Sequence, residues 1–255
     1  DGARAYTPPA RAAHIDLRLD SNERKPDPRA LTQLLAAISP DDMGRYPCAS
    51  TLESLIAVRL GIDRARVLVT AGADEAIDRA CRAYLELGRE VLITTPTFEM
   101  IAGSARLTQA TVRQTPWESG PFPTQALIAQ VSPATGMIAV VTPNNPTGLV
   151  ARADDLRALS SAAPQALLLV DLAYTEFAEQ DLTDLALSLP NALVVRTFSK
   201  AWGLAGLRVG FAAGPAEVIE RLRAVGGPYT VSAPSLAAVR ARLSGDTTDV
   251  PQYCD

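Results

Sequence analysis
From Arg66 onward the chain repeats one unit: a short unbroken apolar run, a polar turn, then a stretch of helical character. The runs fall at Val67–Thr70, 91–94, 137–142, 166–171 and Ala192–Thr197. A strand with one wet face alternates polar and apolar residues, whereas a strand buried on both faces does not. These runs therefore predict an α/β domain on a mostly parallel sheet with helices on both faces. A weaker run at 111–114 and a return run at 208–213, expected to lie antiparallel, bring the mixed sheet to about seven strands. Helices are predicted at 71–87, Glu99–Leu107, Ala153–Ala162 and 216–225, with another at 235–243.

The N-terminal part reads differently. Residues 1–14 are rich in Ala, Arg and Pro and read as an arm, 16–20 alternate as an edge strand would, and 21–28 form a loop. A short helix at 29–38 stops before Pro40, and Ser50 with Glu53 has the spacing of a capping box that opens a helix to Leu60. Residues 244–255 carry no pattern.

Composition narrows the function. Hydrophobic residues make up 47% of 255, enough for a substantial core. The 24 basic and 28 acidic residues leave a net charge of -4 without a basic patch, which argues against nucleic acid as partner. No apolar run is long enough to cross a bilayer, and the first residues lack the apolar core of a signal peptide. Three cysteines without metal spacing predict thiols of a reducing cytoplasm. His14 is the single histidine and reads as a surface residue, so neither a His-based triad nor a metal site is expected.

Polar residues gather at the predicted strand ends. Lys200 follows the run that ends at Thr197, with Ser199 beside it and Arg208 after a glycine-rich turn. A lysine at a buried strand end can act as a free amine in Schiff-base chemistry, and two hydroxyls with a guanidinium suit a phosphate. Gly72, Ala73 and Asp74 open a helix whose free N–H groups favour the same anion. Phe98 offers a flat face for a pyridine ring, and Asn145 can donate to a phenolate oxygen that Tyr174 can also reach. Asp171 ends a buried strand, where its carboxylate requires a cation such as a protonated pyridine nitrogen. One cofactor meets all these needs: pyridoxal 5'-phosphate (PLP).

With these motifs in this order, the chain resembles the class I/II, fold type I, PLP-dependent aminotransferases, and is most similar to their histidinol-phosphate aminotransferase branch. The residues that carry the resemblance are Leu19-Asp20-Ser21-Asn22-Glu23, Arg45-Tyr46-Pro47, Ala71-Gly72-Ala73-Asp74-Glu75, Thr95-Pro96-Thr97-Phe98, Thr142-Pro143-Asn144-Asn145-Pro146-Thr147-Gly148, Asp171-Leu172-Ala173-Tyr174 and the segment from Phe198 through Lys200 to Gly210. The resemblance implies the PLP-transferase large domain over 43–243. Residues 1–42 would be the arm with part of a small domain, and 244–255 an unassigned tail. It implies Lys200, Asp171 and Tyr174 as catalytic residues, Lys200 carrying the cofactor and then moving a proton. Ala73 and Asp74 (through their backbone N–H groups), Thr197, Ser199 and Arg208 would hold the phosphate. Asn145 and Tyr174 would bind the ring oxygen, and Phe98 would stack on the ring. Tyr46 would reach the phosphate of a neighbouring subunit, implying a homodimer with shared sites. The implied reaction moves an α-amino group between an amino acid, or an amino-alcohol phosphate, and a 2-oxo acid.

Two departures keep other readings open. Members of the family continue well past this point, into most of a small C-terminal domain that holds the arginine for the substrate carboxylate, and nothing after Leu243 matches it. The family's Tyr-Gly step after the Asn-Glu pair reads Arg24-Lys25-Pro26-Asp27 here, two extra cations that could serve an acidic or phosphorylated substrate. The alternatives are a non-catalytic PLP-binding or dimerisation paralogue or fragment, and a related PLP decarboxylase.

Overall fold
The computed structural model describes residues 21–25 and 28–254. The predicted arm, the edge strand at 16–20 and His14 lie outside the described residues. The chain runs through α1 (Pro28–Ala36), α2 (Pro40–Gly44), α3 (Ser50–Leu60), β1 (Val67–Thr70), α4 (Gly72–Tyr84) and β2 (Glu90–Thr95). It continues through α5 (Glu99–Leu107), β3 (Thr111–Pro116), α6 (Thr124–Ile128), β4 (Thr135–Val141), α7 (Ala153–Ala162) and β5 (Leu167–Asp171). Then follow α8 (Thr183–Ser188), β6 (Ala192–Thr197), β7 (Gly210–Ala213), α9 (Ala216–Ala224), α10 (Ala233–Ser244) and α11 (Asp249–Cys254).

The seven strands form one sheet in the order β1-β7-β6-β5-β4-β2-β3. Only β7 runs against its neighbours, pairing antiparallel with both β1 and β6. Every other pair is parallel, so the mixed sheet expected from the sequence is the one observed. Because β1 and β6 each oppose β7, the C-terminal ends of all the other strands share one edge. That edge is where α/β sheets present ligand-binding groups.

Successive side chains along the strands go to opposite faces, and each face has its own core. Leu92, Ile138, Val140, Leu168, Val170 and Val194 pack on the side of α3, α7 and α10. Val91, Ile93, Met137, Leu169, Leu193 and Val195 pack on the side of α4, α5 and α9. Apart from the edge strand β3, whose residues are largely exposed, the strands read as apolar runs because neither face meets water.

Three local expectations differ from the structure. The helix predicted to Leu87 ends at Tyr84, because Leu85 turns to extended backbone and buries its side chain in the α4-side core. The cap of α3 is Ala49 without a side-chain bond, so the Ser50–Glu53 box does not form. Glu53 is instead 2% exposed, bound to Arg223 at 2.9 Å, 3.6 Å from Arg64, and accepting the Val69 N–H at 3.3 Å. A carboxylate with two guanidiniums in reach gains more from them than from one neutral cap bond. Finally, the patternless tail contains α11, held where Asp249 pairs with Arg24 at 2.9 Å and with Arg242 at 2.5 Å.

Gly210 faces Thr197 across the β6–β7 pair. A Cβ at Gly210 would lie 2.6 Å from the Gly72 carbonyl carbon and 2.7 Å from both Ala73 N and Arg196 O. These are backbone atoms and cannot rotate away. Gly210→Ala is therefore expected to lower the unfolding free energy by about 1–3 kcal/mol, read as a lower urea midpoint at unchanged slope. An unchanged midpoint would mean that β7 and the β1–α4 turn are not pressed together as described.

Candidate active site
The shared edge of the sheet holds a cleft of about 250 Å³. Turns leaving β1, β2, β4, β5 and β6 each send polar or aromatic residues to it, and β7 is preceded by Arg208. Ala73, Asp74, Phe98, Asn145, Asp171 and Tyr174 line it, together with Thr197, Ser199, Lys200 and Arg208. Of the site residues read from the sequence, only Tyr46 lies elsewhere: it is 81% exposed and stacks on Tyr229 with ring centroids 4.8 Å apart.

One wall is built for an anion. Gly72 has φ +78, backbone that favours glycine, and lies so near the Arg208 guanidinium that a Cβ there would fall 2.5 Å from it and push the side chain aside. Arg208 donates from NH1 to Ser199 Oγ at 3.3 Å and from NH2 to Asp74 Oδ2 at 3.2 Å. Thr197 Oγ1 donates to Ser199 Oγ at 2.9 Å, and Ser199 N–H donates back to Thr197 Oγ1 at 3.2 Å. Arg208 sits in left-handed backbone, φ 52 and ψ 54. Such a conformation costs about 1 kcal/mol or more for a side-chain-bearing residue. The return from β6 to β7 holds it there and aims the guanidinium at the hydroxyls.

The opposite end carries the amine. Lys200 Nζ donates to the Ser21 carbonyl at 2.7 Å and lies 5.4 Å from the Tyr174 ring centroid. Asn22 Nδ2 donates to Tyr174 Oη at 3.3 Å. The turn bearing Lys200 is closed by Gly203 N–H on the Lys200 carbonyl at 3.0 Å, where Gly203 has φ +71. Below it, Trp202 Nε1 and Arg196 NH2 both donate to Glu176 Oε1, at 2.8 Å and 2.6 Å.

Between these ends lies Asp171. Its residue is 3% exposed, and Oδ1 accepts the Ala173 N–H at 3.0 Å. Burial pushes the carboxyl up from the ordinary 3.8 to about 6, and the nearby Asp74 charge adds to the rise. The Ala173 N–H and the Lys200 charge act against it and do not cancel it. Among the described residues, Glu53 and Arg79 are also charged and buried, and each is ion-paired. Asp171 has no ion pair there. A buried carboxylate in this state is stabilised by a cation delivered to it.

The sequence reading missed some residues that shape the cleft. Asn144 is 3% exposed. It donates to Pro96 O at 3.0 Å and Thr147 Oγ1 at 2.8 Å, and accepts from Thr97 Oγ1 at 2.7 Å. It fastens the β2 and β4 loops together, so that Asn145 rather than Asn144 faces the cleft. The doubled Asn between two prolines is the one signal that marked it. Met100 adds to the cleft lining, and nothing in its sequence surroundings marked it. Arg24, read as a cation for substrate, is engaged otherwise: it pairs with Asp249, donates to Ala201 O at 3.1 Å and lies 4.8 Å over the Tyr253 ring. A wider groove of about 870 Å³ shares Asn145 and Tyr174 with the cleft and continues to Asn22 and Arg152. No group of acidic, Cys or His side chains among the described residues could hold a metal ion.

The donor set fits a phosphorylated pyridine aldehyde: an anion cradle, a primary amine, a buried carboxylate for the ring nitrogen, two groups for a ring oxygen and an aromatic face. A mostly parallel α/β sheet with such a cleft at its C-terminal edge is the architecture of the ligand-binding α/β folds. Residues 16–253 match the family described as aminotransferase class I and II, and the chain belongs to that family. It is 36% identical over 233 residues to the histidinol-phosphate aminotransferase of Paracoccus denitrificans (strain Pd 1222), covering 89% of this chain and 63% of that protein. It is 36% identical over 255 residues to the enzyme of the same name from Ruegeria sp. (strain TM1040), covering 95% of this chain and 69% of that protein. The chain thus spans about two thirds of the length of these relatives. The fold matches the crystal structure of histidinol-phosphate aminotransferase from Sinorhizobium meliloti in complex with pyridoxal-5'-phosphate, with a TM-score of 0.82 at 24% identity over 92% of this chain and 65% of that one.

The raised Asp171 carboxyl has a consequence for the protein without ligand. Above about pH 6 the folded state holds a charge that burial disfavours, whereas the unfolded chain ionises at its ordinary value. Stability is therefore lost as pH rises from about 4 to about 6, by roughly 3 kcal/mol in all. Asp171→Asn removes this titration. The variant is expected to melt with the wild type near pH 4 and above it, by about 5 °C or more, at pH 7.5. Parallel melting curves at both pH values would contradict this account of Asp171.

Proposed function
We propose that the chain binds PLP in this cleft and forms the reacting part of a homodimeric aminotransferase. The observation that carries the reading is Asp171, a buried carboxylate without an ion partner among the described residues, in the same cleft as the Lys200 amine and the Arg208 anion cradle. When bound, PLP supplies a carbonyl that takes up an amino group and a ring that accepts electron density from the adjacent carbon. Lys200 Nζ would be the amine that holds the cofactor through its carbonyl carbon and, when free, a base able to take up and return a proton. Asp171 keeps the proton on the pyridine nitrogen, and its burial makes that ion pair stronger than it would be in water. Asn145 and Tyr174 Oη bind the ring oxygen, and Phe98 covers one face of the ring. Thr197, Ser199, Arg208 and the N–H groups of Ala73 and Asp74 hold the phosphate.

The wider groove that adjoins the cleft is the proposed path of the substrates: an α-amino acid or amino-alcohol phosphate as donor, and a 2-oxo acid as acceptor. The name shared by the relatives supports histidinol phosphate as the first donor to try. A homodimer is supported by the Tyr46–Tyr229 stack, two large aromatic rings left exposed on the surface. Work in the cytoplasm is supported by Cys48 and Cys81, neither of which is in a disulfide. Among the described residues no helix is long and apolar enough to cross a membrane.

The test is the visible spectrum of the purified protein with PLP, followed by borohydride reduction, peptide mapping and addition of single amino donors. A Schiff-base band mapped to Lys200, absent in Lys200→Ala and bleached by a donor in a manner reversed by a 2-oxo acid, is expected. Asp171→Asn is expected to keep the band and to slow the bleaching by about 100-fold or more. A band that no donor changes would favour a cofactor-binding module, and loss of carboxylate as carbon dioxide would favour a decarboxylase. A Lys200→Ala protein that still holds PLP covalently and transaminates would end the proposal.

A further inference from the structure
Behind the anion wall lies an ion pair that does not itself line the cleft. Glu75 Oε1 accepts from Arg79 Nε at 2.9 Å and from Arg79 NH2 at 2.6 Å. Its other oxygen, Oε2, accepts the backbone N–H of Ala71 at 2.5 Å. Ala71 is the cap residue of α4, one peptide before the turn that presents the Ala73 and Asp74 N–H groups, and no side chain of its own caps the helix. Arg79 is 2% exposed. The rest of its fork donates to Leu222 O at 3.3 Å and Gly227 O at 2.7 Å. Gly226 lies against the same guanidinium, so closely that a Cβ would fall 2.0 Å from Arg79 Cζ. Two residues beyond Gly227, Tyr229 stacks on Tyr46.

This is an expensive way to join one helix turn to the next. An exposed pair at this spacing stabilises a helix only slightly, and a buried pair is often replaced by apolar residues without loss. What apolar residues could not supply is an acceptor on the Ala71 N–H held in fixed direction by a rigid donor fork. Ala71 has φ -73 and ψ 70, outside both helix and strand. The turn is held by Glu75 on the Ala71 N–H and by the Thr70 hydroxyl donating to the Gly72 carbonyl at 2.8 Å, and of the two only the Glu75 bond is anchored to a second buried charge. The Ala71 peptide plane sets where the next N–H groups point.

We propose that Glu75 and Arg79 are positioning residues for the anion-binding turn: the pair orients the Ala71–Asp74 peptides and so sets the affinity of the cleft for a phosphorylated ligand. The proposal rests on the reading of the cleft as a PLP site. It predicts a selective effect, because pyridoxal presents the same aldehyde and ring without the phosphate.

The experiment compares PLP and pyridoxal binding to the ligand-free full chain by Schiff-base absorbance, in the wild type and two variants. Glu75→Gln places an NH2 group against a donor on one side or the other, since glutamine has one acceptor oxygen where the carboxylate uses two. Glu75→Gln/Arg79→Gln removes both charges, so no buried ion is left unpaired should the single variant fold poorly. Thermal melting confirms that each is folded. The Kd for PLP is expected to rise by about 10-fold to 100-fold, with pyridoxal changed by about 2-fold or less, as for other partners that orient a binding group from behind. Equal weakening of both ligands would show general loosening and overturn the positioning role, as would unchanged PLP affinity in both variants. A wild type that binds neither ligand would overturn the cofactor reading itself, which the variants alone would not.

Discussion
β6 is paired in parallel with β5 on one side and antiparallel with β7 on the other, with Thr197 facing Gly210 at the end of the ladder. A parallel neighbour needs a long crossover, but an antiparallel one can follow a compact return. The return from Thr197 to Gly210 is therefore folded tightly over the strand ends, closed by Phe198 N–H on Val209 O and Leu204 N–H on Phe198 O. Lys200 and Arg208 stand at the two ends of that return, which explains how an amine and a guanidinium from one short segment reach opposite walls of a single cleft. The glycines at 72 and 210 complete the arrangement by letting the β1–α4 turn lie directly against β7.

Charge is distributed on a consistent physical rule. Glu53 and Arg79 are buried and satisfied. Glu53 is held by Arg223 and the Val69 N–H, which ties α3 to α9 and to β1. Arg79 is held by Glu75 of its own helix and the carbonyls of Leu222 and Gly227, which ties α4 to α9 and the loop after it. Asp171 is buried at the same depth and held by one backbone N–H. Desolvation is then the largest influence on its carboxyl, and the folded protein carries an unfavourable charge at neutral pH in the place where a ligand cation would be most stabilised. Stability given up at a binding site and recovered on binding is the ordinary behaviour of a preorganised site.

Several parts of the architecture were legible because their cause is local. Unbroken runs of Val, Leu and Ile require burial on both faces, so the parallel strands and their helices were readable without any knowledge of neighbours. The strand-end residues from Ala73 to Arg208 were readable as a set because each one is chemically out of place in its surroundings: a carboxylate, an amine or a hydroxyl at the end of an apolar run. Glu53 shows the limit. Its spacing from Ser50 satisfies a helix cap, and nothing within the segment reveals that Arg223, far along the chain, will take the carboxylate inward. Arg24 is the same case in reverse, a cation whose position beside the motif suggested substrate and whose partner, Asp249, lies in a tail with no readable pattern. Asn144 and Asn145 differ only in which of two adjacent side chains faces inward, and that depends on where the β2 loop lies.

Family membership, fold class and the chemical kinds of residue in the cleft were determined by the sequence itself, since apolar periodicity and residue chemistry travel with the chain wherever it folds. The tertiary structure alone decided which polar groups face the cleft and which are taken by other partners. It set Arg208 on Ser199 and Asp74, left Asp171 without an ion partner among the described residues, and placed Glu75 and Arg79 behind the anion turn. These are outcomes of competition between groups distant in sequence, settled by desolvation and by donor geometry that exist only once the sheet has assembled.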